Sequence, residues 1–240
     1  MYWTPPVRRL PPLLLVRLKA DLGQYLVDRG ADGVRVFFWY HRQFIEAATD
    51  KYCSDPQFNQ QMHGTLADFF AGTWANGKAK PYVDKKGNKE TADRKPASQP
   101  DKFKTGYNLR KLNNLPYQRT EAKQLGLLKE ECLMNFAFLL SKLHASGLRP
   151  ILEDFIAARN VYPDDQELKI VGESLQLSQD ALVSYPNELP SQLLGRIKVW
   201  DGLENLRDGC KTAPGYFLQP DRSVLTEPGG QLVNCLAGHK

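Results

Sequence analysis

Cysteine is scarce and scattered. Cys53, Cys132, Cys210 and Cys235 are the four in 240 residues, and no two stand at a CxxC spacing, so neither a structural zinc site nor a disulfide framework is indicated. The chain therefore reads as an intracellular, reduced protein with a cytoplasmic location. It has no apolar run of about eighteen residues, so no membrane span is predicted. The complete phosphate-cradling pattern GxxxxGK[ST] is also missing: Gly77-Lys78 is followed by Ala79 in place of the hydroxyl residue that would hold magnesium. Autonomous ATP hydrolysis is not expected. His41 and His63 with Cys53 have no metal-ligand spacing, so no metal is assigned. Glu46 has no second carboxylate or histidine placed beside it and reads as helix-surface charge, which leaves no catalytic residue.

What is present suits a folded chain: hydrophobic residues make up 42% and charged residues 25%. The formal charge of +5 is localised. Residues 76–111 hold eleven basic side chains against four acidic ones, so the remainder is slightly acidic. The stretch 76–104, which includes Lys78, Lys80, Lys85, Lys86 and Lys89, is also rich in Gly and Pro and poor in apolar residues, and it reads as an exposed, flexible basic loop. Attraction to a phosphate backbone or an anionic surface is the functional alternative to solubility for such a loop. Tyr107 and Tyr117 near it suit either base stacking or loop anchoring. The segment Leu10-Pro11-Pro12-Leu13-Leu14-Leu15-Val16 is too short, too proline-rich and too soon followed by Arg17 and Lys19 to be a secretion signal.

Periodicity divides the rest. Leu15, Leu18, Leu22 and Leu26 predict one helix stopped at Gly30 or Gly33. The aromatic, β-favouring run 34–39 predicts a buried strand. Helices are then expected over 41–52 and 55–74, the second with Pro56 early and Phe58, Met62, Leu66, Phe69 and Phe70 as its buried stripe. Beyond the basic loop, Leu125, Leu128, Cys132, Phe136, Leu139 and Leu143 predict one helix of about five turns ending near Gly147. Three more follow: 151–159; a helix capped by Asp164 or Asp165 that carries Leu168, Val171, Leu175 and Leu182; and 187–200. Antiparallel helices joined by short turns are the expectation. At the end, Pro228-Gly229-Gly230 and the apolar stretch 232–236 read as a turn and a short strand that cannot bury its own face. They suggest the opening blade of a β repeat array and hence a part of a longer polypeptide.

Several segments carry a family resemblance. Val36-Phe37-Phe38-Trp39-Tyr40-His41-Arg42-Gln43-Phe44-Ile45-Glu46-Ala47-Ala48, with Tyr52 and His63-Gly64-Thr65-Leu66-Ala67-Asp68-Phe69-Phe70, resembles the winged-helix region that follows the nucleotide-binding module in NACHT- and WD-repeat-containing proteins. Asn108-Leu109-Arg110-Lys111-Leu112-Asn113-Asn114-Leu115-Pro116-Tyr117, Leu175-Gln176-Leu177-Ser178, Leu189-Pro190-Ser191-Gln192-Leu193-Leu194-Gly195-Arg196 and Leu236-Ala237-Gly238-His239 continue it in order. The resemblance implies a mainly α protein: a winged-helix-like module over 1–75, the basic loop over 76–107, a helical bundle or repeat-like linker over 108–202, and an extended segment over 203–240 leading into a propeller strand. It further implies a region of a signalling NTPase that joins an upstream NTPase domain to a downstream WD β-propeller in the same polypeptide. ADP or ATP would be bound only with that upstream domain. His41 takes the place of a histidine that contacts the phosphate of ADP, with Arg42 beside it; read from the residues alone, a histidine among aromatics is more often an ordinary packed residue. Two alternatives stand beside this coupling role: weak nucleic-acid or anionic-surface binding through the basic loop, and a freestanding helical protein-interaction module.

Overall fold

The computed structural model describes residues 12–78, 80–83, 89–91 and 96–230, and the chain divides into two compact units, Met1–Pro100 and Asp101–Lys240. Among the described residues the secondary structure is mainly helical, with eleven α-helices and three two-stranded hairpins.

The first unit opens with α1 (Pro12–Asp21), a single 3-10 turn (Gly23–Tyr25), β1 (Leu26–Ala31) and β2 (Val34–Trp39). The predicted helix through Leu26 is thus cut short at Asp21, and Gly30 lies inside a strand. Asp32 and Gly33, both with positive φ (51° and 76°), form the two-residue turn that matches the twist of an antiparallel pair. Pairing Leu26 with Trp39 and Ala31 with Val34 satisfies backbone groups on both strands, which outweighs the helical spacing of four leucines. An ion pair from Arg35 to Asp28 crosses the hairpin diagonally. The strand expected to be buried is open on one side: Val34, Val36 and Trp39 are half-buried, while Phe37 and Phe38 are exposed.

Helices α2 (Arg42–Tyr52) and α3 (Pro56–Ala71) follow. The start of α3 is fixed by Asp55, whose carboxylate accepts from the Gln57 amide at 2.9 Å, and by Pro56 in the first turn. Its end is fixed by left-handed Gly72, beyond which Thr73 N–H reaches back to the Asp68 carbonyl at 3.0 Å. The predicted apolar stripe is corrected here: Gly64, Ala67 and Phe70 form the buried face of α3, whereas Phe58, Met62, Leu66 and Phe69 stay exposed. The basic segment contributes a short hairpin, β3 (Pro81–Val83) with β4 (Lys89–Thr91).

The second unit begins with the hairpin β5 (Lys102–Phe103) and β6 (Gly106–Tyr107), which belongs with the helices: Asp101 accepts from the Asn108 amide and pairs with Lys111 at 2.7 Å. Helix α4 (Leu109–Glu121) is capped by Asn108 and accommodates buried Pro116 in its interior. The single long helix expected over 125–143 is instead α5 (Leu125–Leu128), one π-helical stretch (Lys129–Leu133) and α6 (Phe136–Ser146). The break is made by Asn135, whose side chain caps the Phe138 amide at 3.1 Å and so starts a new helix inside an unbroken apolar rhythm.

Helix α7 (Leu148–Val161) leads to α8 (Gln166–Leu177), capped by Asp165 at the Leu168 amide (2.9 Å). The rhythm expected to run on to Leu182 is interrupted at Ser178, and α9 (Gln179–Ser184) is separate. After a 3-10 turn, α10 spans Leu189–Ile197, shorter than the 187–200 expected, and α11 (Glu204–Lys211) lies within the stretch expected to be extended. Leu206 and Cys210, four residues apart and fully buried, dock α11, and Gly209 lets it approach Phe136 of α6 so closely that a Cβ there would stand 2.8 Å from the Phe136 Cβ. Leu112, Leu128, Leu139, Ile151, Leu168 and Leu193, all 0–1% exposed, show that this core is shared by α4 through α10. The expected propeller strand at 232–236 lies outside the described residues.

Candidate functional site

His41 occupies the junction between β2 and α2, as the sequence places it. Its backbone is extended (φ −110°, ψ 139°), its carbonyl accepts from the Phe44 amide at 3.2 Å, and its side chain forms no cap to the helix. Around it, Trp39 stacks on Phe44 at 5.4 Å, Tyr25 tilts onto the same ring at 5.0 Å, and Tyr40 donates its amide to the Tyr25 carbonyl at 2.7 Å. Phe44 is therefore the aromatic hub of the corner. The His41 imidazole stands edge-on to Tyr40 at 4.6 Å and is itself exposed. The first turn of α2 contains no acidic residue, so the amide dipoles at this end face no resident anion on their own helix.

Arg42 points along α2 and pairs with Glu46 at 2.7 Å; its side chain is 87% exposed. Such a pair contributes about 0.5 kcal/mol or less. Of the basic-loop residues, Lys78 is exposed beyond the end of α3, Lys80 is half-buried, Lys89 stands opposite Val83 in the β3–β4 hairpin, and Lys85 and Lys86 lie outside the described residues. Tyr107 is held within the second unit, stacked on His144 at 6.3 Å with the Lys102 ammonium 4.9 Å above its ring. Among the described residues no group of three His, Cys, Asp or Glu side chains is arranged to hold a metal.

The second unit contains charges that the sequence pattern does not reveal. Arg119, 1% exposed, grips the Glu131 carboxylate with two hydrogen bonds (2.7 and 3.0 Å) and reaches the Gln124 amide oxygen at 2.5 Å. Lys142, also 1% exposed, meets Asp154 at 2.5 Å. Burial pushes the Asp154 carboxyl up to about 6 despite the opposing pull of Lys142. Cys132 is fully buried, and burial, reinforced by Glu131 and Asp154, drives its thiol well above the ordinary range, which leaves it unreactive. Lys129 binds Asp165 at 2.6 Å and Glu167 at 3.0 Å. The nearby groove, about 790 Å³, has Phe136, Leu140 and Leu203 among its walls, and its Lys129 and Glu167 already pair with each other. These ionic groups thus serve one another inside the helical unit, and the exposed imidazole of His41 belongs to the other unit.

Fold and side chains together define a mainly helical, two-unit region in which buried Arg119 and Lys142 each pair with a carboxylate. No family model matches the chain, and no solved structure matches it. It is 37% identical over 260 residues to NACHT domain- and WD repeat-containing protein 1 of Homo sapiens and 36% identical over 259 residues to its Mus musculus counterpart, in each case covering 99% of this chain and 16% of the relative. Human NACHT and WD repeat domain-containing protein 2 is 28% identical over 218 residues, 79% of this chain and 12% of that protein. The chain is thus homologous to one region of the NACHT- and WD-repeat-containing proteins, and it spans about a sixth of the length of the first two relatives.

Proposed function

We propose that this chain is a non-catalytic coupling region of a signalling NTPase, joining an upstream NTPase domain to a downstream WD β-propeller by packing within one polypeptide in the cytoplasm. The observation that carries this reading is the match of nearly the whole chain to a small part of proteins named for both NACHT and WD-repeat domains. The absence of a GxxxxGK[ST] motif from the sequence agrees with a region that depends on a neighbour for nucleotide chemistry. In this reading the hairpin and helices of the first unit play the part of the winged-helix module. His41 then contributes the contact to bound ADP: an exposed imidazole at the start of α2, beside amides that favour an anion, suits a phosphate completed by another domain.

The test uses a full-length protein of this family that carries this region. His41→Ala removes one polar or charge-assisted hydrogen bond, worth about 1–3 kcal/mol, and should accelerate ADP dissociation by about 5- to 150-fold while shifting the protein toward its open state. An unchanged dissociation rate in a normally melting variant rejects the contact. In the 240-residue chain alone the substitution should leave nucleotide affinity at background.

A further inference from the structure

After α11 the described chain forms no further helix or strand, yet residues 214–230 are fastened to the second unit at successive points. The Leu218 amide donates to the Ser191 hydroxyl at 3.1 Å, and the Lys198 ammonium donates to the Pro220 carbonyl at 2.8 Å. The Val224 and Leu225 amides both donate to the Gly195 carbonyl, at 3.2 and 3.1 Å. The Gly229 amide donates to the Glu173 carboxylate at 2.7 Å. Pro228 is buried and Leu225 half-buried, while Tyr216, Leu218 and Val224 project into solvent.

Gly195 is the centre of this attachment. A Cβ built on it would lie 2.8 Å from Leu225 Cδ1 and 2.9 Å from Cγ, so the missing side chain forms the seat for Leu225. Gly195 also lies in the last turn of α10, where carbonyls have no intrahelical donor. The strap amides occupy that free acceptor. Its other partners are side chains, so lifting it breaks no hydrogen bond within α8 or α10.

We propose that residues 214–230 form a releasable strap, docked on α8 and α10 through the Gly195–Leu225 seat, whose attachment fixes where the following chain leaves the helical unit. Docked, the chain departs from the side of α8 near Ile170 and Glu173, where Gly229 is held. Released, the same residues become a tether that no longer transmits the orientation of the helices. A segment with few buried side chains is drawn from the low-stability end of a structure and opens without global unfolding. The significance of a fixed exit rests on the coupling role proposed above; the strap itself belongs to this chain and is tested on it.

The experiment is amide hydrogen exchange, read by mass spectrometry, on the 240-residue protein and on the variants Leu225→Asp and Gly195→Leu, which disturb the seat from opposite sides. Wild-type amides at Val224, Leu225 and Gly229 should be protected, and both variants should speed their exchange by about tenfold or more while α8 and α10 keep wild-type protection. Three results overturn the proposal: strap amides that exchange at free-peptide rates in the wild type, protection unchanged in both variants, or loss of protection in α8 and α10 together with the strap in both. None of these bears on ADP dissociation, so the strap and the coupling role fail separately.

Discussion

Replacing Asp154 by alanine removes the carboxylate that faces Lys142 across 2.5 Å and leaves an ammonium, 1% exposed, without its partner carboxylate. Removing one member of a buried pair typically costs about 3–5 kcal/mol, because the remaining charge has lost water without compensation. Removing both charges has a different expected result. Lys142→Met with Asp154→Leu keeps similar volume and leaves no ion to desolvate, so the double variant should recover most or all of the loss. The pH dependence gives an independent check. The folded carboxyl lies near 6, above its ordinary 3.8, so the native state holds this proton more tightly than the unfolded chain does. The contribution is fully present below the ordinary value and is lost as pH rises through about 6, with a ceiling of about 3 kcal/mol. Urea unfolding at pH 4.5 and pH 7 measures both effects, and the double variant should flatten this part of the profile. A double variant as unstable as Asp154→Ala would refute the reasoning, since the loss would then come from shape rather than from an uncompensated charge.

Two further outcomes follow from burial and capping. At pH 8 without denaturant, iodoacetamide should label exposed Cys53 while Cys132 and Cys210, whose thiols burial pushes up (Cys210 to about 12), react only after unfolding; equal labelling of all three would contradict the closed core. Asn135→Ala should destabilise the protein by about 1 kcal/mol in a urea melt by removing the start signal of α6, and a gain in stability would show that one continuous helix is the better arrangement there.

Both units were legible in part, through local signals rather than through apolar rhythm alone. The cap of α8 was readable to within one residue, as Asp164 or Asp165, because acidic residues precede the rhythm of Leu168, Val171 and Leu175; the Leu168 amide selects Asp165. Asn135 was hidden because apolar spacing continues through it, and only the backbone shows that its side chain stops one helix and starts another. In the first unit, four leucines at helical steps concealed a hairpin whose sign was the Asp32-Gly33 dipeptide. The faces of α3 were misassigned because periodicity identifies an apolar stripe without saying what covers it: Phe58 and Leu66 satisfy the pattern and remain exposed. Of the candidate site, the junction position of His41 was legible, since a β-favouring run ends where a helical pattern starts. Arg119 and Lys142 were not, because each finds its carboxylate twelve residues away along the chain, a separation that carries no local signature.

The C-terminal end of α10 has a practical consequence for dividing this chain. Its carbonyls are satisfied from two directions: Gly195 by Val224 and Leu225, and Ile197 by the guanidinium of Arg207, which also binds the Lys198 and Trp200 carbonyls. A piece ended near residue 202, where the sequence suggests a boundary, would strip the helix of both. The Gly195 carbonyl would be left to water, the Ile197 carbonyl would keep only the Trp200 amide, and buried Leu206 and Cys210 would be lost with α11, which meets α6 at Gly209. A helical piece therefore needs to run at least through Lys211 to keep Arg207 and the buried face of α11, and through Leu225 to keep the donors to Gly195, so that what looks like linker after residue 203 closes the helical unit.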